Sequence, residues 1–331
     1  MAQLTNMRII SLEELEENLG VNKLPDFVKS CEHEFISRTE QIAVRIAADH
    51  RIKAVFVSGP TSSGKTTFSN RLAVALTKAG CRTHLVSMDD YYQLREISFD
   101  EQGRPDFESI DTLDIDLMLE HLSDLFAGKP VRLPEFSFVD RSRRWPEDRL
   151  IQLGERDLII VEGLHGLSPK ISGQLNHDQY HGIFIMPWCS FLDGRQLLGS
   201  RDVRVLRRIS RDVMHRGSTA MSTIDYWPMI ERTEQAFVPE YLARADEYIN
   251  SCLPYEFCVV APLAAKEISL SLEQFEAGRL PDSIYLKGHI NRYADLEAAV
   301  ADARSLLSAC ERIPQVDRSI VPALSILNEF V

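Results

Sequence analysis

The chain has 331 residues, 44% hydrophobic and 26% charged, the usage of a soluble folded protein with room for one large α/β domain or two smaller ones. Its 37 basic against 49 acidic residues leave a net charge of −12, which argues against non-specific binding to nucleic acid or to an anionic membrane surface. Six scattered cysteines without a C-x-x-C pair, no export signal and no apolar run of transmembrane length predict a cytoplasmic protein with reduced thiols.

Residues 1–50 read as a helical extension. Ser11-Leu12-Glu13-Glu14 has the form of a capping start, Gly20 is a stop, and Phe27, Val28, Cys31, Phe35, Ile42 and Ile46 continue an apolar stripe. A short β-branched run, residues 53–58, reads as a buried strand. It leads into Gly59-Pro60-Thr61-Ser62-Ser63-Gly64-Lys65-Thr66-Thr67, which fits G-x-x-x-x-G-K-[ST]. The glycines let successive backbone N–H groups point into one concavity, Lys65 adds a cation, and the Thr66 hydroxyl suits Mg²⁺. Helical spacing of Phe68, Leu72, Ala75 and Leu76 follows, so the loop opens a helix whose positive end faces bound phosphates. The expectation is nucleotide binding.

A second strand, residues 83–88, runs into Asp89-Asp90-Tyr91-Tyr92, and a third, residues 157–161, ends at Glu162. Parallel sheets carry their chemistry at these carboxyl ends, and an acid at the third is placed to reach a metal. Residues 182–186 and 246–250 are weaker strand candidates. Between the second and third strands lie a helix over 111–128 and an alternating segment, 131–139, with Phe136 and Phe138 on one face and 149–153 as its hairpin partner. Arg204, Arg207, Arg208 and Arg211 share one face of a helix over 201–216, a guanidinium stripe read as a lid over triphosphate charge. Beyond residue 252, helices are expected over 255–266, 268–277 and 291–312, with Pro262 weakening the first, and residues 325–331 dock on the body. Among the histidines, which show no metal-ligand spacing, His165 stands out for lying near Glu162.

The phosphate loop, Ser87-Met-Asp-Asp-Tyr-Tyr92, Asp106-Phe-Glu-Ser-Ile-Asp111, Leu133-Pro-Glu-Phe-Ser-Phe138, Val161-Glu-Gly-Leu-His-Gly-Leu167 and Arg207-Arg-Ile-Ser-Arg-Asp-Val-Met-His-Arg-Gly217, in this order, resemble the uridine kinase/phosphoribulokinase family of P-loop kinases. The likeness is greatest to its bacterial nucleoside-kinase branch, often fused to a threonyl-tRNA-synthetase-like region for which the first 50 residues are too short. Pro254-Tyr-Glu256 and Ser325-Ile-Leu-Asn-Glu-Phe330 look like that branch's C-terminal segment, so the resemblance spans roughly 51–331.

The resemblance implies that Asp89 is the catalytic acid at the acceptor hydroxyl, that Glu162 and Asp89 lie near Mg²⁺ with Thr66 as direct ligand, and that Tyr92 flanks the acceptor. Arg204, Arg207 and Arg211 match the family lid, Arg204 also facing the substrate, and Glu108 stands where uridine kinases place an aspartate that holds ribose hydroxyls. Two positions depart from the pattern: Phe136 replaces a base-reading tyrosine, and Arg141 replaces a pyrimidine-contacting histidine. Arg141, Arg143 and Arg144 would suit an anionic acceptor instead.

The resulting expectation is an α/β P-loop kinase, a parallel sheet flanked by helices with an arginine-rich helical lid and a substrate-side hairpin. It divides into an extension (1–50), a kinase core (51–255) and a C-terminal helical segment (256–331). ATP with Mg²⁺ would phosphorylate a nucleoside (uridine or cytidine) 5′-hydroxyl. A sugar or sugar-phosphate kinase is the first alternative, and a regulatory ATP-binding module the second. The partner is a small-molecule acceptor, without nucleic acid or membrane, and homo-oligomerisation stays open.

Overall fold

The computed structural model describes residues 7–93, 97–137, 140, 142–286 and 292–331, without the side chains of His215 and Arg216. Phe138 and Arg141 lie outside the described residues.

In chain order, β1 (Arg8–Ser11) passes directly into α1 (Leu12–Glu17), and α2 (Leu24–Ala48) follows. Next come β2 (Ala54–Ser58), α3 (Lys65–Lys78), β3 (Arg82–Ser87) and α4 (Ile115–Phe126). The excursion holds β4 (Val131–Arg132), β5 (Glu135–Ser137), β6 (Ser142–Arg144) and β7 (Leu150–Ile151). The rest is β8 (Asp157–Gly163), β9 (Tyr180–Met186), β10 (Cys189–Asp193), β11 (Arg195–Gly199), α5 (Ser200–Arg216), α6 (Ala220–Arg244), β12 (Glu247–Asn250), α7 (Glu256–Glu276) and α8 (Leu296–Cys310).

Five strands form a parallel sheet in the order β12-β9-β2-β8-β3, the α/β architecture expected. Its central strand β2 is buried throughout, as a parallel strand covered on both faces must be. Alternation splits it: Val55 and Val57 join a core with α2 and α3, while Ala54 and Phe56 join one with α4 and the end of α6. A second body, built from α5 to α8, packs around Trp227, Phe257 and Ile268.

Several expectations change. Residues 8–11 are a strand, pairing parallel with β10, which turns at Gly194 (φ +67°) into antiparallel β11. The Asp193-Gly194 dipeptide is the hairpin signal that marks this turn. The capping reading survives, since the Ser11 hydroxyl accepts from the Glu14 amide at 3.0 Å and starts α1. The excursion makes two small ladders, β4–β7 and β5–β6, where one hairpin was expected. The two helices expected around residues 255–277 are one, α7, running through Pro262 because the buried apolar face continues across it. Among the described residues, no helix is long and apolar enough to cross a membrane, and all six cysteines are buried and free.

Candidate active site

Strand register builds the site. In the sheet Ser87 lies opposite Glu162, Val57 opposite Glu162, and Ser58 opposite Gly163, so β2, β3 and β8 end at one level. From that level the chain leaves β2 as the phosphate loop. Ser62 (φ +58°) and Gly64 (φ +87°) both take the left-handed region, which curls the backbone before α3 begins at Lys65. A side chain at Gly59 would strike the Ile185 carbonyl oxygen, so that glycine answers a steric demand as well.

The loop's side chains leave capacity for an anion. The Ser62 and Ser63 hydroxyls are buried and make no hydrogen bond. Lys65, half-buried, folds back so that Nζ donates to the Pro60 carbonyl at 3.0 Å. Thr66 is exposed at the first turn of α3, its hydroxyl 3.4 Å from Glu162 Oε2. Glu162 Oε1 accepts from the Ser87 hydroxyl at 3.0 Å, and the same oxygen of Ser87 accepts from the Asp89 amide at 3.4 Å. Ser87 therefore ties both strand-end acids together. Burial raises the Glu162 pKa most; Lys65 opposes this, and the charges of Asp89 and Glu329 add to it.

That upward shift carries a testable consequence. A carboxylate with a raised folded pKa is held ionised at a cost once pH exceeds its unfolded value; the cost is absent at low pH and grows as pH rises through the folded pKa. Glu162→Gln is therefore expected to raise the Tm of the ligand-free protein by a few degrees at pH 8, with a smaller gain at pH 5, while abolishing most activity. Calorimetry at the two pH values checks this, and a lower Tm at pH 8 would contradict it.

The arginines differ from the expected stripe. Arg204, Arg207 and Arg208 are buried, and α5 is part of the second core rather than an exposed flap. Arg204 pairs with Glu234, with one contact of 2.9 Å, and Arg207 pairs with Glu256 at 2.7 Å. Arg208 meets Glu108 (3.3 Å) and Asp212 (3.2 Å) beside Tyr226 and Tyr285, its guanidinium carbon 5.7 Å from each ring centroid. Arg211 reaches Asp212 at 3.1 Å. These arginines still serve the loop, from behind: Arg204 Nε donates to the Thr61 carbonyl (2.9 Å), Arg207 to the Ser62 carbonyl (3.3 Å) and Arg208 to the Thr61 hydroxyl (2.9 Å). Helical spacing located the stripe but carried no record of carboxylates brought in from other segments, and unpaired guanidinium groups could not have been buried.

Among the residues expected to flank an acceptor, the Tyr92 hydroxyl donates to the Phe107 carbonyl at 2.7 Å, and its ring lies 5.7 Å from that of Phe136, tilted by 37°. The Phe136 amide donates to Asp90 Oδ1 at 3.2 Å, which hangs β5 on the end of β3. Glu108 is half-buried with its carboxylate on Arg208. His165 is buried, with Nδ1 2.8 Å from the Tyr241 hydroxyl and Nε2 2.8 Å from the Glu108 carbonyl. Burial lowers its pKa to about 4, so it is a neutral ring that positions Glu108. Arg143 is engaged by Asp114 (2.8 Å) and the Tyr91 and Tyr92 carbonyls, and Arg144 by Asp140 (2.6 Å).

Ser87 and Glu329 are the site residues the sequence reading passed over. Ser87 had a signal, a hydroxyl at a strand end just before the acids; Glu329 had none, since only the folded chain brings it near Thr67.

Residues 54–254 match the model of the phosphoribulokinase/uridine kinase family. A uridine kinase of Staphylococcus aureus (strain JH9) is 29% identical over 177 residues, covering 53% of this chain and 76% of that protein. Among solved structures, a "possible uridine kinase" from Bacillus stearothermophilus aligns at 18% identity and TM-score 0.39, covering 60% of this chain and 88% of its own. A D-glycerate 3-kinase from Cryptococcus neoformans aligns at 15% identity and TM-score 0.34, covering 81% and 89%. With more than half its length matched by one family's model, over the stretch that holds the phosphate loop and both strand-end acids, this chain belongs to the phosphoribulokinase/uridine kinase family and is a kinase that transfers a phosphoryl group to a hydroxyl acceptor.

Proposed function

We propose that the chain phosphorylates the 5′-hydroxyl of a nucleoside, with ATP as donor and Mg²⁺ as cofactor. The observation that carries the reading is the meeting of the phosphate loop with Glu162 and Asp89 at one end of the sheet, next to the Tyr92–Phe136 ring pair and the Glu108 carboxylate. A planar base can stack on such rings, and a fixed carboxylate can accept from a ribose diol. Thr66 and Glu162 are the residues that would hold Mg²⁺; two protein oxygens plus phosphate oxygens and water suit that ion, which when bound neutralises charge on the transferring group.

In this reading Lys65 leaves the Pro60 carbonyl for the outer phosphate oxygens, and the loop amides, fixed from behind by the three arginines, hold the rest. Asp89 orients the acceptor hydroxyl and takes its proton. Because the transition state of phosphoryl transfer is loose, alignment and charge neutralisation matter more than the strength of that base.

The sugar-phosphate alternative loses ground with Arg143, which is engaged by Asp114 and by the Tyr91 and Tyr92 carbonyls. A panel of nucleosides, sugars and sugar phosphates, followed by ADP release, tests the proposal. Uridine or cytidine should stimulate release at least about tenfold over the acceptor-free rate, as acid–base catalysis by one positioned group alone supplies that much. Turnover of a sugar phosphate with no nucleoside active would transfer the assignment to the alternative, and indifference to every acceptor would favour a regulatory ATP-binding module.

A further inference from the structure

The segment Ser325–Phe330 packs against the phosphate loop and the first turn of α3. Ile326, Leu327 and Phe330 are fully buried in the core that also holds β2 and α3, and the Ser325 hydroxyl lies 3.1 Å from that of Tyr255. Ile326 occupies the space a side chain would need at Gly64: its Cδ1 lies 2.5 Å from where a Cβ would stand. Gly64 is the left-handed residue from which α3 starts, so Ile326 closes the back of the turn that aims the loop's amides. Three residues on, Glu329 Oε2 accepts from the Thr67 hydroxyl at 3.3 Å, in the first turn of α3, and Oε1 lies 3.5 Å from Arg211 Nη1. The Phe330 ring centroid lies 4.8 Å from the guanidinium carbon of Arg207, the same arginine that holds the Ser62 carbonyl.

We propose that Ile326 and Glu329 are positioning residues of the nucleotide site: Ile326 sets the curl of the phosphate loop at Gly64, and Glu329 fixes Thr67 and Arg211 at the start of α3. The inference rests on the reading that this loop binds ATP. An anion nest works only while its donors are held within about 0.5 Å of their working places, and removing packed atoms behind one leaves a void into which the turn relaxes. Tyr92, Phe136 and Glu108 are held by Phe107, Asp90 and Arg208 respectively, so loss of the segment should act on the donor side.

The test compares Ile326→Ala, Ile326→Val, Glu329→Ala and Glu329→Gln with Leu327→Ala, a control of equal burial. Each full-length variant is titrated by calorimetry with ATP and with inorganic tripolyphosphate, and its Tm and acceptor KM are measured. Ile326→Ala should weaken both anions about tenfold with acceptor KM unchanged, and Ile326→Val about twofold. Glu329→Ala should weaken both about fivefold, with Glu329→Gln recovering part because it keeps an oxygen for Thr67. Leu327→Ala should lower Tm comparably yet leave both affinities within about twofold. Should Ile326→Ala fail to fold, the Val and Glu329 variants decide alone. Equal affinity losses in Leu327→Ala and the Ile326 variants, or unchanged affinity in the Ile326 and Glu329 variants, would overturn the inference. If the wild-type chain itself bound neither ATP nor tripolyphosphate, the nucleotide-site reading beneath it would be what failed.

Discussion

Replacing Asp89 by asparagine should lower kcat for the acceptor-stimulated reaction by about 10³-fold, within the range that a positioned acid–base group supplies, while ATP affinity stays within about twofold. Asp89 is exposed at the end of β3, so the exchange removes a charge without opening the core. Its backbone amide is held by the Ser87 hydroxyl, an anchor the variant keeps. What disappears is the carboxylate that orients the acceptor and takes its proton, and that loss falls on turnover rather than on donor binding. Steady-state kinetics with a separate ATP titration reads the split. Wild-type kcat in the variant would remove Asp89 from the chemistry, and a parallel loss of ATP affinity would move it to the donor side.

Lys65→Ala should cost about 10²- to 10³-fold in kcat, comparable to removing one preorganised donor from a developing negative charge. In the ligand-free protein Lys65 Nζ reaches the Pro60 carbonyl, a loop contact whose loss should leave Tm within a degree or two. The charge of Lys65 also lowers the pKa of buried Glu162, so its removal leaves that acid harder to ionise. Activity in the variant should therefore fall further below wild type as pH drops, because Glu162 is then protonated at a higher pH. A kcat within threefold of wild type would exclude the loop lysine from transfer.

How much of this was visible in the sequence depended on whether the cause was local. The order strand, glycine loop, helix was legible because backbone chemistry favours it: Gly64 supplies the positive φ from which α3 starts, Gly59 the space beside Ile185, and the β-branched run before them reads as buried strand. Asp89 and Glu162 were legible as residues at the ends of apolar runs, and strand register set Ser87, two residues before Asp89, opposite Glu162. The packing of the arginines was not legible. Arg207 and Arg208 sit at helical spacing that suggests a lid over phosphate charge, and Glu256, Glu108 and Asp212 pair with them in the interior only once the chain has folded. The β1–β10–β11 sheet was hidden for a related reason, since the first turn of α1 and its cap dominate the signal around Ser11, while the strand's partner is distant in sequence. Pro262 misled in the other direction: a residue that weakens a helix locally is carried within α7 by the continuous buried face of Phe257, Val260, Ala264 and Ile268.

The most direct test of the central claim is a crystal structure of the protein with a non-hydrolysable ATP analogue. The terminal phosphates should lie inside the curve of residues 59–67, with Lys65 turned from Pro60 toward them and Glu162 and Asp89 facing the outermost one across a gap wide enough for an alcohol. An analogue seated elsewhere, for instance in the cavity of about 390 Å³ lined by Lys53, Phe126 and Asp157, with the loop empty, would contradict it.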